Sequence, residues 1–531
     1  MQKEQIASAI GAGDTFLGIE FGSTRIKAVL TDLAHQPIAS GSFDWENSLI
    51  DGIWTYSLDE IHQGLQQCFA DLKKNVQETY GTSLKSVKSM GVSAMMHGFL
   101  VFDKDGHLLT PFRTWRNTIT GEAAAALSER FRFNIPERWS IAHLYQVILN
   151  GEQYVPEIAY MTTLAGYIHF LLTGEKVLGV GDACGMFPID SATGDYNKQF
   201  MASFETLISD KNFPWRLQDI LPRVLFAGDA AGTLTAEGAL LLDPTGDFQS
   251  GVPLCPPEGD AGTGMVATNS VAVNTGNVSA GTSIFAMAVL EKELSRYYPE
   301  IDMVTTPDGK PVAMVHCNNC TGDLDGWMRL FAEVLERFGV SPKKAALYDT
   351  LLLASFDGDE QCGGLMNYNY LSGESITGLT RGKPMFLREQ NSRFTLPNFM
   401  KTQLFSCLAT LRIGMNILYS EGVSLSAIAG HGGYYKTKET GARYTAAALK
   451  TPVTIMETAG EGGPWGIAVL AGFAAMRKEG ESLSAYLDAH VFANAKKETV
   501  NPTAEDMACF DDFLARYQSW LPAQKAAADC E

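Results

Sequence analysis

The sequence is short of positive charge, of long apolar runs and of any ordered cysteine pattern, and each shortage removes a class of function. Its 531 residues carry 41 Lys and Arg against 60 Asp and Glu, a formal charge of −19. A surface this acidic repels the phosphate backbone of nucleic acids and the anionic face of membranes. A nucleotide ligand is not excluded, because a few aligned N–H groups and a divalent cation reverse the potential locally. No apolar run approaches the ~20 residues that span a bilayer, and residues 1–14 lack the apolar centre of a signal peptide. Nine cysteines, an odd number scattered along the chain, do not make a disulfide framework, so a reducing cytoplasm is expected. The one CxxC, Cys317 to Cys320, has no second CxxC and no His pair at zinc spacing; it reads as two small, half-buried thiols. Low-complexity linkers and long charge runs are also missing.

What is present is a soluble globular composition, 46% hydrophobic and 19% charged, on a chain too long for one ordinary core. The most informative stretch is residues 255–287. Asp260 stands there in a run of small residues (Gly259, Ala261, Gly262, Thr263, Gly264), read as a turn. In such a turn no neighbouring Cβ keeps a substrate hydroxyl away from the carboxylate. About twenty residues on, a second small-residue turn, Gly281-Thr282-Ser283, separates strand-like runs at 271–273 and 284–289. N–H groups and hydroxyls in such a turn suit phosphate oxygens. One candidate base and one phosphate cradle point to phosphoryl transfer from a nucleotide to an alcohol.

In chain order, residues 16–32 predict a hairpin: strand 16–21, a tight turn at Gly22-Ser23-Thr24, and a second strand. Glu20 lies beside that turn, poised to hold a cation or simply a surface acid. Spacing predicts a helix over 58–79 and a strand over 87–93 that ends at Met96-His97-Gly98. His97 fits a polyol hydroxyl, although a lone His is more often a satisfied core residue. Trp115, Arg116 and Asn117 follow a hairpin signal at 103–106. A helix is expected over 158–172, stopped by Thr173-Gly174, and a short strand over 186–189. Residues 271–289 repeat the strand–turn–strand pattern of 16–32, and the domain boundary is placed there: 1–268 and 269–531. Helices are expected over 326–338, 404–418, 441–449, 462–476 and 504–520, with strands over 428–430 and 452–456. A third bare turn, Gly432-Gly433, suits an adenosine, since exposed backbone lets a flat ring lie close.

Taken together these motifs resemble the FGGY carbohydrate kinases, the sugar-kinase branch of the actin-like ATPase fold. The first hairpin is similar to the family's first phosphate loop, and Met96-His97-Gly98 to its Met-His-Gly. Thr173-Gly174 with Asp182-Ala183-Cys184-Gly185 resembles its Leu-Thr-Gly and Asp-Ala-Ser-Gly segments. Gly259-Asp260-Ala261 resembles the segment of the catalytic aspartate, and Ala280 to Ser283 the second phosphate loop. Tyr370-Leu371-Ser372-Gly373-Glu374 resembles a family signature, and Gly430 to Gly433 the adenosine motif.

The resemblance implies an α/β chain of two ribonuclease-H-like domains, mixed sheets flanked by helices, with a cleft between them. It implies a first domain that binds sugar and a second that binds nucleotide. ATP and Mg²⁺ are the expected cofactors and a D-xylulose-type ketopentose the acceptor, with L-ribulose, a polyol, another ketose or an aldonate such as gluconate as alternatives. Asp260 is then the base. Met96, His97, Gly98, Trp115, Asn117 and Asp260 contact the sugar, while Gly22, Ser23, Thr24, Lys27, Gly281, Thr282, Ser283, Gly432 and Gly433 contact the nucleotide. Glu20 and Asp260 hold the metal. Two departures stand out: Glu20 replaces the family's first-loop Asp, and Asn117 falls where a carboxylate is usual, which bears on the choice of sugar. A homodimer is expected only from its prevalence among soluble enzymes. The rivals are an actin-like ATPase switch or binding module without a sugar acceptor, and a kinase-derived protein without catalysis.

Overall fold

The computed structural model describes residues 3–437, 439–456 and 462–530. Two compact units emerge, each with its own sheet. The first comprises residues 3–271, 303–312 and 462–495; the second comprises the remaining described residues. A single cut after residue 268 therefore does not describe the chain, because 462–495 folds with the first unit.

The first sheet has five strands in the order Glu258–Gly259, Ser89–Ala94, Phe16–Phe21, Arg25–Thr31, Pro37–Asp44. The first three run parallel and the last three antiparallel. Both expected strands of the first hairpin are present, and the amphipathic helix Leu58–Tyr80 packs its Ile61, Leu65, Phe69, Leu72 stripe into the core. Ser57 and Glu60 form a capping box at its start, and Gly81 in the left-handed region ends it.

The helix Gly462–Met476 is apolar nearly all round and buried for most of its length. It lies so close to the sheet that side chains are excluded at the contacts. A Cβ on Gly18 would stand 2.0 Å from the Pro464 carbonyl oxygen and 2.7 Å from the Ala468 nitrogen. One on Gly466 would stand 2.2 Å from the Thr263 carbonyl oxygen. These backbone contacts are the physical reason that a segment distant in sequence belongs to this unit.

The second sheet has seven strands in the order Ile301–Thr305, Pro311–Cys317, Ile284–Val289, Thr275–Ala280, Ala427–His431, Val453–Met456, Lys497–Val500. Each sheet has a hairpin beside its central strand and parallel neighbours on the other flank. The two strand–turn–strand units read from the sequence thus hold equivalent places in two similar sheets.

Three expectations shift. The strand before Gly281 covers Thr275–Ala280, not 271–273. Residues 158–172 divide into a short strand, Tyr160–Thr162, paired with Leu100–Phe102, and a helix, Leu164–Thr173, with Gly174 left-handed at its end. Thr163 caps that helix by accepting from the Gly166 N–H, which sets the break. The strand expected over 186–189 is reduced to Ile189–Asp190.

Gly18→Ala should lower the melting temperature by several degrees, an overpacking cost of about 1–3 kcal/mol or more. Gly11→Ala, where a Cβ meets nothing within 4 Å inside a helix, should be neutral or stabilising. Calorimetry of both variants checks the contrast.

Candidate functional site

Asp260 is not in a turn. It is the first residue of the helix Asp260–Ala267, entered directly from the two-residue strand Glu258–Gly259. The small residues around it serve helix packing: Thr263 lies against Gly466, and Gly262 faces the Glu258 carboxylate. The helix start still favours a carboxylate, since the first N–H groups of a helix lack intrahelical partners.

One oxygen of Asp260 accepts the main-chain N–H of Met96 at 3.2 Å, which binds the candidate base to Met96-His97-Gly98. The carboxylate is open to water on one side but crowded by protein on the others. That dehydration raises its pKa to about 6, against the N–H groups of Met96, Ala261 and Asp260 itself, which lower it.

His97 is buried and has a left-handed backbone, φ 68°, followed by Gly98 at φ 99°. A side chain held in that region by its surroundings marks strain of the kind found at functional sites. Its Nδ1 donates to the Gly185 carbonyl at 3.4 Å, so Nε2 carries the free lone pair. Burial, with the Arg138 cation next, holds its pKa well below the usual range, and the ring is neutral. Trp139 stacks on it at 6.2 Å between centroids.

Glu20 ends the first strand beside Asp260. Burial and then the Asp260 charge push its pKa up to about 7, while Lys27, its cross-strand partner, lowers it. Its carboxylate packs on bare backbone: a Cβ at Gly463 would stand 2.0 Å from one of its oxygens. Two neighbouring carboxylates whose charged forms are both disfavoured by dehydration fit a divalent cation, which would favour both charges.

The first loop is held by three aromatic side chains that sequence reasoning missed in two cases. Trp45 Nε1 donates to the Gly22 carbonyl at 2.7 Å and Tyr56 Oη to the Ser23 carbonyl at 2.6 Å. Trp115 Nε1 donates to Ser23 Oγ at 3.0 Å, so a residue expected at the sugar touches the turn expected at the phosphates. Thr24 and Lys27 are exposed beside it. Asn117 is a correction. It is buried, its Oδ1 accepts the Trp54 N–H, and its Nδ2 donates to the carbonyls of Trp54 and Thr114, each at 2.9 Å. A carboxamide buried and bonded at both ends to main chain braces the segment and is not presented to a sugar hydroxyl.

Two further buried acids stand close by. Asp182 accepts from Thr163 Oγ1 at 2.6 Å, and burial pushes its pKa up to about 7. Burial likewise holds Glu258 well above the usual carboxylate range. Asp182 was visible in the sequence as part of a motif; Glu258 carried no signal beyond its nearness to Asp260.

In the second unit, the two expected nucleotide turns come together at the carboxyl ends of adjacent parallel strands, where α/β sheets bind ligands. The Gly281 carbonyl accepts from Thr321 N–H at 3.0 Å and Thr321 Oγ1 at 2.9 Å, and the Thr282 carbonyl from Cys320 N–H at 2.9 Å. Those bonds tie the turn to the start of the helix Thr321–Arg337 and leave Thr282 exposed. Gly432 has φ 101°, and a Cβ there would stand 2.4 Å from the Ala280 carbonyl oxygen. Gly433 opens onto a cavity of about 530 Å³ lined by Thr321, Lys344, Tyr348, Tyr434 and Lys436. That volume suits a nucleoside; Lys344 and Lys436 line it together with Asp325 and Asp349, so the lining carries no net positive charge.

With these two sheets and this pair of sites in view, the class is defined. Residues 15–262 match the N-terminal domain, and residues 276–475 the C-terminal domain, of the FGGY family of carbohydrate kinases. The chain belongs to that family and is a carbohydrate kinase of actin-like ATPase fold. It is 22% identical to a xylulose kinase of Haemophilus influenzae over 451 residues, 80% of this chain and 83% of that one. The xylulose kinase structure from Lactobacillus acidophilus superposes with a TM-score of 0.80 at 16% identity, covering 97% of this chain and 99% of that one. A gluconate kinase from the same organism gives a TM-score of 0.78 at 16% identity with the same coverage. Among the described residues no helix is long and apolar enough to cross a membrane.

The raised pKa of Glu20 has a testable sign. A carboxyl that binds its proton more tightly folded than unfolded contributes stability below pH 4.5, and that contribution is lost as pH rises through about 7. In EDTA, Glu20→Gln should therefore melt higher than wild type at pH 8 and close to it at pH 4.5. Equal melting temperatures at pH 8 would contradict the dehydrated carboxylate.

Proposed function

We propose that the protein transfers the γ-phosphoryl group of ATP, with Mg²⁺, to a hydroxyl of a D-xylulose-type ketopentose, as a step of pentose catabolism. The observation that carries this reading is the Met96 N–H donating to Asp260, which seats a carboxylate of pKa about 6 on the Met-His-Gly segment. Such a group is mostly ionised at neutral pH yet basic enough to take a proton from an alcohol. The neutral His97 offers Nε2 to accept from a second hydroxyl and orient the acceptor.

The first unit holds the acceptor, through Met96, His97, Gly98, Trp115 and Asp260; the second holds the nucleotide. Gly281 to Ser283 meet the phosphates, and Gly432-Gly433 with the adjoining cavity receive the adenosine. Gly22, Ser23, Thr24 and Lys27 form the corresponding phosphate-friendly turn of the first unit. Glu20 and Asp260 would hold Mg²⁺, which supplies charge neutralisation to the transferring group. Phosphoryl transfer asks little covalent work of the protein, so positioning and charge dominate. L-Ribulose, polyols and aldonates remain the competing acceptors, the last favoured by the likeness to a gluconate kinase.

A coupled ADP-release screen over pentuloses, polyols and aldonates identifies the acceptor, and the best one should be a ketopentose. With that acceptor, Asp260→Asn should cut kcat at least a hundredfold and leave ATP affinity within about twofold. An unimpaired variant removes Asp260 as the base. The wild-type kcat/KM, which reports the free enzyme, should fall on the acid side with an apparent pKa near 6, since only the ionised carboxylate accepts the proton. A flat profile down to pH 5 would contradict that role.

A further inference from the structure

The strand that delivers Asp260 is only two residues long, Glu258–Gly259, paired with Ser93 and Ala94. The same chain meets the Ser89–Ala94 strand again at Leu254, bridged to Met90, so the stretch between 255 and 258 leaves room for a further restraint on the residue that follows. It is supplied by Glu258. This side chain is 1% exposed and points away from solvent toward the main chain of residues 179–182, with Oε1 bonded there and Oε2 buried without a hydrogen-bond partner. One of its oxygens accepts from Gly181 at 3.3 Å, and the neighbouring Pro257 carbonyl accepts from Gly179 at 2.8 Å.

The space for the carboxyl group is carved by missing side chains. A Cβ on Gly179 would stand 2.2 Å from one oxygen, and a Cβ on Gly181 2.4 Å from the other. Gly262, two residues beyond Asp260, faces the same oxygen with 3.1 Å to an ideal Cβ. The segment 179–182 also carries Asp182, anchored to Thr163 at 2.6 Å. Glu258 therefore staples the chain on both sides of Asp260 to one turn of backbone held from elsewhere in the unit.

Building on the proposed role of Asp260 as base, we propose that Glu258 is a positioning residue: its carboxyl group, seated among Gly179, Gly181 and Gly262, sets where the Asp260 carboxylate stands relative to Met96 and the acceptor hydroxyl. Glu258 does not touch substrate. It acts through the backbone between 258 and 262, where a displacement of about 1 Å is enough to cost two orders of magnitude in rate.

Three variants test this. Glu258→Gln keeps the shape and an acceptor oxygen for the Gly181 N–H, and should hold kcat within about threefold of wild type. Glu258→Ala empties the space for the carboxyl group and should lower kcat tenfold or more with the KM for ATP within twofold. Gly181→Ala, which leaves Glu258 intact but displaces its oxygen, should reproduce the kcat loss, and it serves if the alanine variant at 258 fails to fold. Amide hydrogen exchange of Met96 and residues 259–262 provides a readout independent of turnover. Exchange there should quicken in Glu258→Ala and Gly181→Ala while the second unit stays unchanged. Wild-type kcat in both variants, or exchange that quickens uniformly along the chain, would overturn the positioning role. A wild-type protein inactive on every acceptor would instead refute the kinase reading, and the exchange pattern would still decide the role of Glu258.

Discussion

Backbone pressed on backbone is the constraint from which the first site follows. The helix Gly462–Met476 touches the central strand at Gly18 and the Asp260 helix at Gly466, with no room for a methyl group at either contact. A chain segment some two hundred residues beyond Asp260 thereby becomes the floor under it. The same contact brings Gly463 beneath Glu20, so the two carboxylates of the site share one rigid support. Close-packed interiors transmit small displacements with little loss, and a base that must meet a hydroxyl at hydrogen-bond distance benefits from that stiffness.

The second unit achieves the same end by different means. Its two bare turns are neighbours because their strands are neighbours, Thr275–Ala280 beside Ala427–His431. Gly432 adopts a conformation that other residues avoid and lies against the last residue of the adjacent strand. The carbonyls of Gly281 and Thr282 are occupied by the start of the following helix, so the turn cannot relax toward them. The Gly281 N–H is itself engaged by the Ser283 carbonyl at 2.9 Å, so Thr282, exposed at the tip, is the residue the turn presents outward.

Much of this was legible in the sequence because turns and amphipathic stripes are local. The first hairpin, the helix Leu58–Tyr80, the strand Ala427–His431 and the glycine turns each depend on residues a few positions apart. The misread elements are those decided by distant partners. Asp260 sits in a run whose glycines suggest a turn, yet Gly259 there faces the Met96 side chain, Gly262 faces Glu258, and Thr263 meets the helix from 462. Asn117 has the chemistry of a sugar ligand, and only its pairing with Trp54, 63 residues away, shows that its carboxamide is already occupied. Trp115 was expected at the acceptor, and its bond to Ser23 places it between both candidate roles. Nothing in the spacing of Trp45 or Tyr56 announces that they clamp the first loop.

Glu20 shows how a departure from a family pattern is absorbed. An aspartate at this position would end one methylene sooner, short of the helix that begins at 462. The longer side chain reaches that helix, and the chain has glycine at the point of contact, where any Cβ would stand 2.0 Å from the carboxylate. The residue at 463 and the residue at 20 are therefore one structural decision made at two places in the sequence. The outcome is a carboxylate dehydrated by the surrounding protein, attracted by Lys27 and repelled by the Asp260 charge. A group so placed gains from a cation what an exposed aspartate would obtain from water, so the longer side chain is compatible with the metal-holding role proposed for it while altering how the carboxylate is supported.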